Sequence, residues 1–340
     1  MKNFFSIKSS LFVFSTVLIL SACSNSTEKA DDTKNTSSPE VKIKAHVNPP
    51  DFNADSAYVF VKTQADMGPR TPGSKAHEAC AKFMQQKLSA YGAELIVQKG
   101  TATTYDQKKW GMKNIIASFN SEVRSRVLLC AHWDSRPFCD RDSIESNKKK
   151  PCPGVNDGAS GVGVLLEVAR QLAQKKCAIG IDIIMFDLED YGQNDNSFPY
   201  MENSWCLGSQ YWAQNPHQPG YFAKYGVLLD MVGAKNATFP REGQSVFFAS
   251  SIVDKVWRTA SNLNYAQYFV DETKGETTDD HVYINKLANI PCIDILGFDI
   301  QRNDFFAHHH RASDTMDNID KAILKAVGQT LLEVIYNEEE

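Results

Sequence analysis

Five short segments of this 340-residue chain end in side chains that could meet a metal ion. Cys130-Ala131-His132-Trp133-Asp134 closes an apolar run with a histidine and a carboxylate. Asn156-Asp157-Gly158-Ala159-Ser160-Gly161 sets an aspartate in a glycine-rich turn before a helical pattern. Phe186-Asp187-Leu188-Glu189-Asp190 ends a second apolar run in adjacent carboxylates, and Leu228-Leu229-Asp230 ends a third in one. His310 stands four residues before Asp314. Oxygen and imidazole donors without a thiolate suit a divalent ion such as zinc, held with an open position for substrate. Glu189 and Asp190 would repel each other if both were buried without a cation. A metal that holds one of them leaves the other free as general acid or base. Taken singly, a strand-end aspartate more often caps a helix or forms a turn, and a lone histidine more often sits satisfied in surface or core. Only the set points to a metal centre.

The elements that must position these groups are legible as alternation. Runs at 112–119, 126–132, 180–187, 225–231 and 291–296 are nearly continuously apolar, as in strands buried on both faces. Helical patterns lie between them near 74–91, 158–175, 206–214, 250–262 and 317–336. This predicts an α/β fold: one domain over 46–340, with a central, mostly parallel twisted sheet flanked by helices on both faces. Sites in such folds gather at the carboxyl ends of strands, where the candidate groups fall.

Composition narrows the partners. With 42% hydrophobic and 23% charged residues the chain can bury a sizeable core, and a net charge of −5 offers no field for nucleic acid. Lys148-Lys149-Lys150 reads as a solvated loop. At the N-terminus, Lys2 and Lys8 precede the apolar stretch Leu11 to Leu20, which is short for a membrane span. Residues 1–22 therefore read as a secretory signal. Leu20-Ser21-Ala22-Cys23 resembles the lipobox of bacterial lipoproteins, which implies lipidation of Cys23 and a periplasm-facing place in the cell envelope. The polar stretch 23–45 reads as a flexible tether, so membrane contact is expected only through the anchor. Seven further cysteines form no CxxC pair. Cys139 and Cys152 flank a polar loop where an export compartment allows a disulfide, while Cys130, Cys177 and Cys292 read as small core residues. No long amphipathic segment outside the core calls for an obligate partner, and a monomer is expected.

In order and type, His132, Asp157, Glu189-Asp190, Asp230 and His310 resemble the zinc aminopeptidases of family M28 and their relatives, the glutaminyl cyclases. The pattern extends from Gly68-Pro69-Arg70-Thr71-Pro72-Gly73-Ser74 to the last helix. The segment Leu228 to Phe239 and the triplet Asp279-Asp280-His281 are more similar to the cyclases, and with the signal region to the envelope cyclases of Bacteroidetes-type bacteria. The resemblance implies one zinc per chain held by Asp157, Asp190 and His310. It makes Glu189 the general acid/base, Asp230 and Asp279 supporting carboxylates, and peptides or proteins with N-terminal glutamine the substrates. Asp190 stands where the animal enzymes have a second glutamate, Asp294 where they have a histidine, and His309 where a tryptophan lines their pocket. Aromatic walls would then come from Trp133, Trp205 or Phe305. A di-zinc aminopeptidase, in which His132 and Asp230 complete a second metal site, stays open beside the cyclase. So does a non-catalytic envelope binding protein that kept the fold.

Overall fold

The computed structural model describes residues 45–194 and 196–339, so the signal segment, Cys23 and nearly all of the tether lie outside the described residues. From His46 onward the chain forms one compact unit. Its elements are α1 (Ala54–Met67), α2 (Lys75–Ala90), β1 (Glu94–Thr103), β2 (Lys109–Phe119), β3 (Arg126–His132), α3 (Ala159–Gln174) and β4 (Gly180–Phe186). There follow α4 (Leu207–Gln214), β5 (Tyr225–Asp230), β6 (Phe239–Glu242), α5 (Gly243–Asn262), β7 (Phe269–Lys274) and α6 (Asp280–Ala288). The chain ends through β8 (Cys292–Leu296), β9 (Phe298–Asp299), β10 (Asp304–Phe305) and α7 (Lys321–Tyr336).

Six strands form the central sheet in the order β1-β2-β4-β3-β5-β8. β4, β3, β5 and β8 are mutually parallel, while β2 runs antiparallel to both β1 and β4. The expected parallel sheet is therefore the four-stranded block; the predicted strand 112–119 joins it antiparallel beside β4 and carries β1 as a hairpin on its outer edge. Register does the positioning. His132 at the end of β3 lies opposite Phe186 at the end of β4, and Asp230 at the end of β5 lies opposite Leu296. The carboxyl ends thus finish level on one rim.

Alternating side chains leave the sheet in opposite directions. Val127, Leu129 and Ala131 enter the larger core, covered by α1, α2, α3, α5 and α7. Leu128 and Cys130 enter a smaller one against Trp212 of α4 and Ile284 of α6. Fully buried strands explain why their sequences are uniformly apolar. Strand β1 was missed because it is half-exposed at the sheet edge. Helix α1 was missed although Ala57, Phe60, Val61 and Gln64 are buried at helical spacing. Helix α5 begins seven residues before the predicted 250, because its backbone leaves helical geometry at Ala249 and splits the periodicity.

Glu242 holds the start of α5. Its buried carboxylate accepts hydrogen bonds from the Gln244, Ser245 and Thr277 backbones and lies 3.1 Å from His281 Nε2. Burial pushes its carboxyl up, but His281 and the backbone donors outweigh this and lower it from 4.5 to about 2. At about 1.4 kcal/mol per pH unit, this favours the folded state by about 3 kcal/mol above pH 4.5, a contribution lost as the pH falls through about 2. Glu242→Gln is expected to lower unfolding free energy by about that much at pH 7. In urea titrations the gap from wild type should narrow steadily between pH 5 and pH 2.

Candidate metal centre and active site

The turn before α3 is pinned from two sides. Arg70, fully buried, donates to the backbone carbonyls of Trp133, Pro153 and Gly154. Asp314 accepts from the Asn156 and Asp157 backbones at 2.9 and 3.1 Å. Gly158 follows at φ 85°, where a Cβ would lie 2.8 Å from the Asp134 carbonyl and 2.9 Å from His132. Only glycine lets the turn approach the end of β3 this closely. The result aims Asp157 over the rim.

At the end of β4 a single carboxylate sets two others. Asp134 accepts from the backbone of Glu189 at 3.1 Å and of Asp190 at 3.2 Å, one oxygen for each. Asp190 Oδ1 then reaches to 3.0 Å from His310 Nε2, and Asp157 Oδ2 lies 3.6 Å from the same nitrogen. His310 takes left-handed backbone geometry, φ 54°, uncommon for a non-glycine residue. Behind it Asp140 Oδ1 lies 3.7 Å from Nδ1. Asp140 is itself paired with Arg136, which also donates to the Asp190 and Gly192 carbonyls.

These donors fit a zinc ion. Both carboxylate oxygens of Asp190 are buried and have no hydrogen-bond donor, an arrangement costly unless a cation faces them. Burial pushes the Asp190 carboxyl well above its ordinary range, and the Asp157 charge adds to the push. Burial acts to raise Asp157 too, but the hydrogen bond and charge of His132 hold it well below. His310 is drawn down to about 3 by burial and then by Arg136, so it is the neutral imidazole that can ligate. His309 stands beside it with Nε2 3.8 Å from Asp157, near enough to join the donor group.

Glu189 faces the other side of this group. Its oxygens lie 3.7 Å from His132 Nδ1 and 3.4 Å from the Cys206 thiol. Burial raises its carboxyl well above normal, with Asp190 and Asp279 adding to the rise against the opposing pull of His132. A carboxyl raised toward neutrality suits proton exchange. His132 bridges Asp157 and Asp230 through Nε2 at 3.1 and 3.2 Å. Burial opposes its protonation, but hydrogen bonds to Asp134, Asp157 and Asp230 outweigh that and raise it well above its ordinary value. Asp230 is pushed up to about 7, chiefly by burial.

A cavity of about 660 Å³ opens over Asp157, Glu189, Asp230, Asp279, His309 and His310. Trp205 and Phe305 line it as expected, Trp205 stacked nearly parallel on His310 and Phe305 edge-on to His309. Trp133 is a correction: it does not line the cavity. Its ring is fully buried against His77, with Nε1 donating to the Lys113 carbonyl, because the residue after β3 points back into the core. Asp294 is also away from the cavity, buried within β8 and near Asp279 and His281. Asp134, a candidate metal-facing carboxylate in the sequence, instead places both oxygens on backbone donors, and Arg70, Arg136 and Asp140 had no role in the sequence. Their signal was present in the motif around His132 and in the four-residue spacing of Arg136 and Asp140, but each acts through another residue.

The model of peptidase family M28 matches residues 114–335, which contain all these candidate donors. The chain belongs to peptidase family M28. A Zn-dependent exopeptidase from Parabacteroides distasonis is 51% identical, with TM-score 0.84 over 86% of this chain and all of that one. Glutaminyl cyclase from Bacteroides thetaiotaomicron is 49% identical, with the same TM-score and coverage. Glutaminyl-peptide cyclotransferase of Bothrops jararaca is 24% identical over 296 residues, 77% of this chain and 75% of its own length. This M28 chain is thus a zinc-type enzyme with cyclases among its near relatives.

Because Asp134 sets both Glu189 and Asp190, Asp134→Asn would turn an amide N–H toward a backbone donor. Zinc affinity should fall roughly 10- to 100-fold with the fold retained. Chelator competition beside a thermal melt measures both; unchanged affinity would remove Asp134 from this role.

Proposed function

We propose that this chain is a glutaminyl-peptide cyclotransferase, converting N-terminal glutamine of peptides or proteins to pyroglutamate with release of ammonia. One zinc per chain is held by Asp157, Asp190 and His310. The observation that carries this reading is the pair formed by a donor-free Asp190 beside His310 and, next to it, a Glu189 carboxyl poised for proton transfer. The cyclases among the relatives support it.

Bound there, zinc supplies Lewis-acid polarisation of the substrate's side-chain amide carbonyl. Glu189 takes from the substrate's neutral α-amino nitrogen the proton that this nitrogen sheds as it attacks its own side-chain amide carbon and closes the ring. Glu189 then returns the proton to the departing nitrogen, which leaves as ammonia. Asp230, with its carboxyl pushed up to about 7, faces the cavity where it can orient the leaving amide nitrogen, with Asp279 beside it. Trp205 closes one wall. Because the nucleophile belongs to the substrate, holding it in an attack geometry is the main task of the residues.

A di-zinc aminopeptidase would place a second ion among His132, Asp157 and Asp230. The segment Leu228 to Phe239 and the triplet Asp279-Asp280-His281, more similar to the cyclases, favour the single-ion reading. A retained Glu189 beside a full donor set speaks against a purely binding role. We propose further that Cys23 carries a lipid anchor, leaving a monomeric enzyme facing the periplasm, without nucleic-acid partners.

Two measurements test this. A glutaminyl peptide should lose ammonia with its peptide bonds intact at one zinc per chain; release of free glutamine at two metals per chain would select the aminopeptidase. Glu189→Gln should keep its zinc and lose roughly a thousandfold in turnover. Near-normal turnover in that zinc-loaded variant would remove Glu189 from catalysis.

A further inference from the structure

Cys139 and Cys152 are both buried, and their Sγ atoms meet at 2.7 Å. The segments that carry them are joined on both sides of the pair. Cys139 N donates to the Lys150 carbonyl at 2.8 Å, and Cys152 N donates to the Arg136 carbonyl at 2.9 Å. The thiols therefore face each other at the neck of a loop that leaves and re-enters the molecule at one point.

What hangs from that neck touches the metal centre. Residues following Cys139 run alongside the loop that bears His310. Asp140 lies behind His310 Nδ1 at 3.7 Å, the Arg141 backbone donates to the His310 carbonyl at 3.3 Å, and Asp142 accepts from the Ala312 backbone at 3.0 Å. On the other side, Cys152 leads directly into Pro153 and Gly154, whose carbonyls are gripped by Arg70, and thence into the turn of Asp157. The neck thus connects the support of one zinc donor to the backbone of another.

We propose that Cys139 and Cys152 form a disulfide that latches this loop and so holds Asp140 behind His310 and the Asp157 turn in place. In its formation each thiol gives up one proton and one electron. The electron pair passes to the disulfide of an exchange partner, oxidised glutathione in the test below, which leaves as two thiols. Burial of both sulfurs in the folded chain requires the exchange to occur before the loop closes, after which the bond is shielded from reductants. The role of the latch rests on the zinc ligand set proposed above; the bond itself does not.

The full-length chain is refolded with oxidised glutathione, blocked with iodoacetamide, digested with trypsin and mapped without reduction. Cleavage after Arg141, Lys148 and Lys149 separates the two cysteines in sequence. The expected result is that their peptides travel joined and part on reduction. Recovery of both residues as carbamidomethyl cysteine would overturn the disulfide, and it leaves the catalytic reading untouched. The latch is tested by zinc release to a chromophoric chelator. The double variant Cys139→Ser/Cys152→Ser should release zinc roughly tenfold faster than wild type, as for loss of other supports behind a ligand. Cys177→Ser, a buried cysteine beyond the end of α3, should release it at the wild-type rate. Equal release from all three proteins would overturn the latch even where the disulfide is found.

Discussion

Crowding of negative charge at the rim of the parallel strands is the constraint on which the rest of the structure depends. Asp157, Glu189, Asp230 and Asp279 border one cavity and Asp190 is buried beside them, removed from most of the water that would screen them. Carboxylates this close cannot all stay ionised without cations among them. The molecule answers in three ways. His132 lies between Asp157 and Asp230, which favour its protonated form, and Arg136 lies beneath Asp190. Glu189 and Asp230 have their carboxyls pushed up toward neutrality. Even so, both oxygens of Asp190 beside His310 lack a hydrogen-bond donor, and there a metal ion fits.

That division gives the carboxylates different chemistry although they are chemically alike. Asp157, held low by His132, stays an anion and a donor. Glu189, raised by burial and by its neighbours, becomes a group that can accept and return a proton. The difference comes from which cation each one touches. A reaction in which the substrate brings its own nucleophile asks little more than one Lewis acid, one proton carrier and walls that hold the ring-forming geometry.

The supporting residues explain how a short rim can be held so firmly. Asp134 spends both oxygens on the backbone of the Glu189-Asp190 pair, and Arg70 and Asp314 clamp the Asp157 turn from opposite sides. Arg136 and Asp140 back the other two donors. Arg70, Asp134 and Asp314 are buried and contact backbone, while Arg136 and Asp140 pair with each other at the cavity's edge. Their function is to fix direction.

The sequence by itself determined the parallel block and the chemistry at its ends. Strands buried on both faces must be apolar along their length, so β3, β4, β5 and β8 announced themselves, and a charged group at the end of such a run stands out. His132, Glu189-Asp190 and Asp230 were legible for that reason, Asp157 through its glycine-rich turn and the cysteines at 139 and 152 through the polar loop between them, while the roles of donor and proton carrier were implied by the family resemblance. Edge strand β1 was not, because half-exposed strands carry mixed side chains. Only the tertiary structure decided direction and partnership. Whether Trp133 faces the cavity or His77, and that His132 lies between Asp157 and Asp230, depends on close approaches between segments far apart in sequence. The support of His310 by Asp140 is of the same kind, joining residues 170 positions apart through a loop whose course no local pattern encodes.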